Sequence, residues 1–372
     1  MAKTNMPTSQ YSSLKTNHHT KNTTKDDHNN NHQCSIIPLD FKSVSKLPES
    51  HTWELTHPNP LSTSESESIP VINLSDPKAI SLMRHACENW GIFHVTHHGV
   101  PSNLLREVEN QSRRLFSLPS DQKLLAIRSL DSLSGYGLPR MSTFFPKRMW
   151  SEGFTIIESP LEHTRKLWPH DHHQRDHFCN VMESCQKEMN RLAEHIMGLM
   201  FGSLGLTQQD TKNIKPKYGC QNSNGPLQLN SYPVCPDPTK AMGLAAHTDS
   251  SLLTLLLQSS TGLQVQKEGI GWVPVHAVEG ALVINVGDLM QILSNGRFKS
   301  VLHRAVVNKT HHRISTAYFY GPPKDVKIEP LIQLSSPFPL YRPTTWKEYL
   351  GIKANHFNKA LELIRSDITK AQ

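Results

Sequence analysis

The chain has 372 residues, of which 37% are hydrophobic and 19% are charged. This composition excludes a chain that is disordered throughout, and no run approaches the roughly 18 consecutive apolar residues of a membrane-spanning helix. The net charge of +7 comes from basic residues scattered singly or in pairs, without the basic tail or stripe that duplex binding requires. We therefore expect neither a nucleic-acid nor a membrane partner. A basic protein body suits an anionic small molecule.

The six cysteines form no CxxC pair, and the N-terminus lacks the apolar segment of a secretory signal. We therefore predict reduced thiols and a cytoplasmic protein. Nothing in the sequence indicates an obligate protein partner.

Four regions follow one another along the chain. Residues 1–68 are predicted to form a polar, disordered tail followed by a loosely docked arm, because residues 1–35 contain almost no aliphatic side chains. Residues 69–215 are predicted to be mainly helical, residues 216–325 to form a β core, and residues 326–372 to form a C-terminal extension with a final helix. The tail contains His18, His19, His28 and His32, which we expect to be solvated rather than to bind metal.

The predicted elements of the helical region start with a strand in IPVINL at residue 69. A helix follows, with Ser75-Asp76-Pro77 as its start and Gly91 as its end. The segment GIFHVT predicts a second strand. Further helices are predicted at about residues 101–117, 119–127 and 173–202, the last from apolar residues at helical spacing.

The second half changes to short β-rich runs separated by Gly, Asn and Asp turns. These runs are GLAAH, SLLTLLLQ, GLQVQK, GWVPVH, ALVINVG, FKSVLHRAVVN and RISTAYFYG. Seven such runs without intervening helices predict an antiparallel sandwich or barrel. The predicted fold class is therefore α+β, with a helical N-terminal cap on a β core.

The main chemical signal is His247-Thr248-Asp249 followed by His303. Residues i and i+2 of an extended segment point to the same side, so His247 and Asp249 can bind one ion, with His303 from another strand as third ligand. Two imidazoles and one carboxylate on one face leave three positions of a six-coordinate ion open. This set is typical of non-haem Fe(II) oxygenases, whose open positions admit a cosubstrate and O₂.

A second motif, Arg313-Ile314-Ser315, begins ten residues after His303. Arg313 and Ser315 face the same side of a strand, where a guanidinium and a hydroxyl can together bind a carboxylate. A metal triad combined with a carboxylate clamp predicts 2-oxoglutarate binding. We assign His247, Asp249, His303 and Arg313 to the catalytic site.

These motifs, in this order and after the N-x-Y-P segment Asn230-Ser231-Tyr232-Pro233, resemble the plant Fe(II)/2-oxoglutarate dioxygenases over about residues 69–350. The segments LQLNSYPVCPDPTKAMGLAAHTDSSLLTLLLQ and GYGLPRMSTFFPKRMWSEGFTI resemble the gibberellin 3-oxidase branch of that family. The resemblance implies a double-stranded β-helix (jelly-roll) core. It also implies that Asn230 and Tyr232 help to bind 2-oxoglutarate, with Tyr232 near its carboxylate. Asn-Ser-Tyr-Pro departs from the commoner Asn-Tyr-Tyr-Pro but keeps both residues.

The resemblance further implies the cofactors Fe(II), 2-oxoglutarate and O₂, with ascorbate as reductant. The implied substrate is a gibberellin precursor of the GA9 or GA20 type, a diterpenoid carboxylic acid. The implied reaction is 3β-hydroxylation to the GA4 or GA1 type, with succinate and CO₂ as coproducts. A gibberellin 2-oxidase or a flavonoid hydroxylase would share the same catalytic set. A non-catalytic ligand-binding jelly roll is the alternative outside the enzymes.

Other polar clusters have simpler explanations. The histidines and aspartates between His170 and His177 are expected to be solvated, Asp288 to belong to a turn between strands, and Arg304 to be structural. The role of Lys147 and Arg148 stays open. They lie among aromatic residues that either line a pocket for an apolar carboxylate or pack the cap onto the barrel.

Overall fold

The computed structural model describes residues 38–54, 68–129, 132–207, 209, 225–331 and 338–366. The predicted disordered tail and its four histidines lie outside the described residues. The predicted boundary at residues 215 and 216 also lies outside them, so the division into regions stays a prediction. None of the described helices has both the length and the apolar character needed to cross a bilayer.

The helices of the described part agree with the apolar periodicity of the sequence. In chain order they are α1 Ala79–Asn89, α2 Ser102–Ser117, α3 Ser120–Leu124, α4 Leu161–Leu167, α5 His172–Ser203, α6 Asp288–Leu293, α7 Trp346–His356 and α8 Ala360–Leu363. The long helix α5 begins where Asp171 Oδ1 accepts a hydrogen bond from the Gln174 N–H at 2.9 Å, as an N-cap should. Its buried face includes Phe178, Met182 and Met189. The predicted helix at about residues 173–202 is thus confirmed.

The strands form two principal sheets. They are β1 Val71–Asn73, β2 Ile92–Thr96, β3 Gly135–Gly137, β4 Glu152–Ile156, β5 Leu227–Tyr232, β6 Leu244–His247, β7 Leu253–Gln258, β8 Leu263–Lys267, β9 Gly271–Val275, β10 Leu282–Val286, β11 His303–Ala305, β12 Arg313–Tyr320, β13 Lys327–Ile328 and β14 Thr344–Thr345. The major sheet has the order β1-β2-β10-β7-β12-β5-β4-β3, the minor sheet has the order β6-β11-β8-β9, and β13 pairs with β14.

The hydrophobic core lies on both faces of the major sheet. On β7, Leu253 and Leu255 pack with the cap helices, whereas Leu256 packs with Val265 and Val273 of the minor sheet. A strand covered on both faces has apolar residues at successive positions, which explains the leucine run of β7. Helices on one face of the major sheet and the minor sheet on the other confirm the α+β class with a jelly-roll core.

Two details differ from the sequence-based expectation. Strands β3 and β4 extend the major sheet from the region that was expected to be mainly helical, because β4 pairs with β5. The run FKSVLHRAVVN contributes only the three residues of β11, since a register shift lies between His303 and Ala305. Short or irregular strands lack the sustained alternation that a sequence pattern requires.

Candidate active site

The three predicted metal ligands meet at one end of the minor sheet. Strands β6 and β11 are antiparallel, and their register places His303 directly opposite His247. Asp249 lies two residues beyond the end of β6. Its Oδ1 is 3.7 Å from His247 Nε2 and 3.6 Å from His303 Nε2. All three residues are buried: His247 is 8% exposed, Asp249 7% and His303 6%. The site therefore has three ligand atoms converging on one point.

Hydrogen bonds orient both imidazoles for metal binding. The Nδ1 of His247 is 2.8 Å from the Ala245 carbonyl oxygen, and the Nδ1 of His303 is 3.2 Å from that of Val301. With Nδ1–H donating to a carbonyl, each ring directs the lone pair of Nε2 toward Asp249. Burial and the neighbouring His303 lower the pKa of His247 to about 3, so this ligand is neutral near pH 7.

The carboxylate is held in its ionised form. Burial by itself would raise the pKa of Asp249, but attraction by His303 and His247 and hydrogen bonds from Thr254 and Asn285 outweigh it, and the pKa is lowered. Asn285 Nδ2 donates to Asp249 Oδ2 at 3.3 Å. Two imidazoles and one carboxylate are a donor set that fits Fe(II).

No comparable cluster occurs elsewhere in the described part of the chain, where this is the only group of three or more potential ligands. The polar run at the start of α5 has local roles. Asp171 caps the helix, and His177 Nε2 contacts Glu107 Oε1 at 2.9 Å. The histidines and aspartates between His170 and His177 are exposed, as expected for solvated side chains.

Arg313 lies at the start of β12, opposite Tyr232 of β5. Its Nε donates to the Ser260 carbonyl oxygen at 2.9 Å, and one terminal nitrogen donates to Gln258 Oε1 at 3.0 Å. The guanidinium carbon is 4.9 Å from the centre of the Tyr232 ring. Gly262 leaves room for this side chain, because a Cβ at residue 262 would lie 2.6 Å from Arg313 Cδ. The glycine is therefore a steric requirement of the arginine position.

The Arg313 guanidinium is a buried cation without an anionic partner in the described residues. The side chain is 1% exposed, and its Nη1 has no hydrogen-bond partner in this part of the chain. An isolated buried charge costs several kcal/mol, so the arrangement favours an incoming carboxylate. The hydroxyl of Ser315 lies on the same strand and accepts a hydrogen bond from Asn230 Nδ2 at 3.4 Å. The four predicted 2-oxoglutarate residues thus lie on two paired strands.

Several supporting residues had no signal in the sequence. Gln258 at the end of β7 and Ser260 and Gly262 in the loop after it position Arg313. Asn285 of β10 contacts Asp249. Only the pairing of distant strands brings these residues to the site. A local pattern could not have identified them.

Asp288 differs from its predicted role as a residue in a turn between strands. It is the first residue of α6 and is fully buried. Its carboxylate accepts hydrogen bonds from Ser300 Oγ at 2.7 Å and from Tyr349 Oη at 2.8 Å. The prediction was wrong because these partners come from segments that only the tertiary structure brings together.

Lys147 and its aromatic neighbours make packing contacts, and whether they also line a ligand pocket stays open. Trp150 is fully buried, and Phe145 contacts Trp53 with ring centres 5.3 Å apart. Lys147 Nζ donates to the Glu49 carbonyl oxygen at 3.0 Å. These contacts join the loop to the described part of the N-terminal arm.

Arg304 has the structural position that was expected for it. Its Nε donates to Gln264 Oε1 at 2.8 Å, and its guanidinium lies 4.2 Å from the centre of the Trp272 ring. Its contacts are thus with the minor sheet and not with the ligand triad.

A two-histidine, one-carboxylate site beside a buried arginine in a jelly-roll core defines the class of Fe(II)- and 2-oxoglutarate-dependent oxygenases. Residues 223–322 match the model of the 2OG-Fe(II) oxygenase superfamily. Residues 69–175 match the family described as non-haem dioxygenase in morphine synthesis N-terminal. The chain belongs to this superfamily.

Gibberellin 3-beta-dioxygenase 3 of Arabidopsis thaliana is 52% identical over 338 residues, which cover 89% of this chain and 95% of that protein. Gibberellin 3-beta-dioxygenase 1 of Pisum sativum is 50% identical, over 88% of this chain and 89% of that protein. Within the superfamily, the chain therefore belongs to the gibberellin 3-beta-dioxygenases. Among solved structures, JOX2 in complex with 2OG, Fe and JA matches with a TM-score of 0.75 and 30% identity, over 87% of this chain and 95% of that one.

Proposed function

We propose that this protein hydroxylates gibberellin precursors at C-3 in the β configuration. The observation that carries the proposal is the intact His247–Asp249–His303 triad beside Arg313, in a chain about half identical to gibberellin 3-beta-dioxygenases over most of its length. A gibberellin precursor, 2-oxoglutarate and O₂ are converted to the hydroxylated product, succinate and CO₂. O₂ is the oxidant, 2-oxoglutarate supplies two electrons through its decarboxylation, bound Fe(II) would activate the O₂, and the protein supplies position.

His247, Asp249 and His303 hold the metal in this proposal. The Nδ1 contacts support this role, because they leave both Nε2 atoms free to bind. Arg313 and Ser315 bind the distal carboxylate of 2-oxoglutarate, with Tyr232 and Asn230 beside it. The Nη1 of Arg313 has no hydrogen-bond partner among the described residues, which supports this assignment, since a carboxylate would satisfy it.

The proposed location is the cytoplasm. It is supported by Cys87, Cys179, Cys185 and Cys235, which are free, buried thiols in the described part of the chain. The proposed partner is the small-molecule diterpenoid substrate.

The test is product analysis by mass spectrometry. The purified protein is incubated with a GA9- or GA20-type gibberellin, Fe(II), ascorbate and O₂, with and without 2-oxoglutarate. A 3β-hydroxylated product that requires 2-oxoglutarate is expected. A 2β-hydroxylated product would keep the chemistry but contradict the assigned reaction, and would favour a gibberellin 2-oxidase. Absence of any product that depends on 2-oxoglutarate would refute the proposal.

Two variants assign the site residues. His247→Ala is expected to abolish turnover, whereas the matched variant His311→Ala, at an exposed histidine, is expected to keep it. Arg313→Ala is expected to raise the KM for 2-oxoglutarate sharply. Arg304→Ala is the matched control, because that arginine bonds to Gln264 and stacks on Trp272 instead. Wild-type activity of His247→Ala would contradict the metal assignment.

A further inference from the structure

The C-terminal segment Trp346–Leu363 makes hydrogen bonds to the stretch of chain that carries two of the metal ligands. Asn358 Nδ2 donates to the Ala246 carbonyl oxygen at 3.0 Å. Lys353 Nζ donates to Thr248 Oγ1 at 2.7 Å. Trp346 Nε1 donates to Ser250 Oγ at 3.3 Å. The contacted residues are 246, 248 and 250, which alternate with the ligands at 247 and 249.

This alternation has a geometric meaning. Successive residues of an extended segment face opposite sides. The odd-numbered residues His247 and Asp249 face the metal position, and the segment Trp346–Leu363 bonds to the residues between and beside them. The segment contacts the backbone carbonyl oxygen of Ala246 and the side chains of Thr248 and Ser250, so the ligand stretch is held at three places that flank the ligands.

A buried carboxylate strengthens the connection. Asp288 is 0% exposed and accepts hydrogen bonds at Oδ2 from Thr248 Oγ1 at 3.0 Å and from Tyr349 Oη at 2.8 Å. Lys353 forms an ion pair with the same oxygen. The backbone N–H of Asp288 also donates to the Asp249 carbonyl oxygen at 2.7 Å. The Lys353–Asp288 ion pair thus connects helix α7 with the backbone of the metal ligand Asp249. The hydrogen bonds of a desolvated ion pair are directional.

The backbone at the end of α7 has an unusual conformation. Phe357 has a φ of +48°, which is uncommon for a residue with a side chain. Its ring stacks on that of Phe144, with centres 4.9 Å apart, and Asn358 follows directly. Backbone conformations of this kind persist only where surrounding contacts impose them, and they cluster at functional sites. Here the residue with positive φ, Phe357, directly precedes Asn358, which donates to the Ala246 carbonyl oxygen.

We propose that the segment Trp346–Leu363 is a positioning clamp that sets the direction of His247 and Asp249 toward the metal. Trp346, Lys353 and Asn358 are its positioning residues and act through residues 246, 248 and 250. The inference rests on the metal site of the proposed function. It assigns to the C-terminal extension a role in metal affinity and in coupling 2-oxoglutarate consumption to product formation.

The test measures metal binding directly. Full-length Trp346→Phe, Asn358→Ala and Lys353→Met variants are titrated anaerobically with Fe(II) in the presence of 2-oxoglutarate, and the visible charge-transfer absorption gives the Kd. Each lost hydrogen bond is expected to weaken Fe(II) binding about three- to tenfold, as its net contribution implies. The amount of succinate formed per hydroxylated product is expected to rise above that of the wild type.

Matched controls lie on the same helix. Asn355 Nδ2 bonds to the Gly351 carbonyl oxygen within α7, and Lys347 is an exposed lysine. Asn355→Ala and Lys347→Met are expected to leave the Kd for Fe(II) within about twofold of wild type, below the effect of one hydrogen bond. Trp346→Phe keeps an aromatic ring but removes part of the indole together with its N–H donor. Asn358→Ala removes the donor to the Ala246 carbonyl oxygen from an exposed position, and it therefore serves as the test if Lys353→Met does not fold.

The outcomes separate the two proposals. A lower Tm with an unchanged Kd for Fe(II) in Trp346→Phe and Asn358→Ala would refute the clamp and leave the segment a purely structural role. Failure of the wild-type protein itself to bind Fe(II) would refute the proposed metal site, and the clamp with it. Weaker binding in the clamp variants alone, with intact wild-type binding, supports both.

Discussion

Gly262→Ala tests whether the space around Arg313 sets the affinity for 2-oxoglutarate. The new Cβ would lie 2.6 Å from Arg313 Cδ and 2.9 Å from its Nε, whereas ordinary contacts begin near 3.4 Å. The arginine must therefore move by about 1 Å, in a place where it is 1% exposed and packed. Gly262 has no positive φ, so the substitution acts through space and not through backbone strain.

The magnitude follows from the bonds at risk. Moving the guanidinium misaligns its hydrogen bonds to the carboxylate of 2-oxoglutarate. One hydrogen bond to a charged group contributes about 1.5–3 kcal/mol. This loss corresponds to a KM for 2-oxoglutarate about 10- to 100-fold higher. The overpacking itself is expected to lower the free energy of unfolding by about 1–3 kcal/mol. Because the metal ligands are untouched, kcat at saturating 2-oxoglutarate is expected to stay close to that of the wild type.

The assay is the initial rate as a function of 2-oxoglutarate concentration, at saturating Fe(II) and gibberellin. Gly351→Ala is the matched control, because a Cβ there meets nothing within 4 Å and the residue lies inside α7. We expect it to leave KM unchanged and to stabilise the helix by up to about 1 kcal/mol. A KM within twofold of wild type in folded Gly262→Ala would refute the steric argument.

Two further predictions concern stability. Burial, with the nearby cations Arg113 and Lys123, lowers the pKa of His312 to about 4, against about 6.5 in the unfolded chain. As the pH falls, the unfolded state therefore binds the extra proton first. The neutral, buried His312 makes a contribution to the free energy of unfolding that is complete above pH 6.5 and is lost as the pH falls toward 4. Between pH 7 and 5, the free energy of unfolding measured with urea should fall by about 1–2 kcal/mol less in His312→Gln than in the wild type. In His311→Gln, whose side chain is exposed, it should fall by as much as in the wild type. Equal pH profiles for the two variants would contradict the assignment. Lys123→Met should lower the free energy of unfolding by about 3–5 kcal/mol, because it leaves Glu152, 2.6 Å from Lys123 Nζ, as a buried charge without its cation. A loss below about 1 kcal/mol, the range of an exposed pair, would show that this buried pair contributes little.

The candidate site was predictable because its ligands belong to short motifs. His247 and Asp249 are separated by one residue, as are Arg313 and Ser315, and an extended backbone turns each pair to one side. The pairing of His303 with His247 was not predictable from spacing alone. It depends on the antiparallel register of β6 and β11. The packing of residues that lie between these strands in the sequence helps to set that register.

The long helix and most of the β-rich runs were also predictable, since sustained periodicity records which face of an element is buried. Strands β3 and β4 were not predicted, because each is short and is stabilised by its neighbour in the sheet more than by its own pattern. The minimal length of β11 was missed for a related reason: the register shift after His303 depends on strand pairing.

The residue types that carry the chemistry, and the side of a strand that they face, could be read from the sequence because both are local properties. What surrounds these residues depends on the tertiary structure. Gly262 makes room for Arg313, and Asp288 receives Lys353 from a helix 65 residues later in the chain. Contacts of this kind depend on how sheets and helices pack against one another, and packing is a property of the whole chain and not of any segment within it.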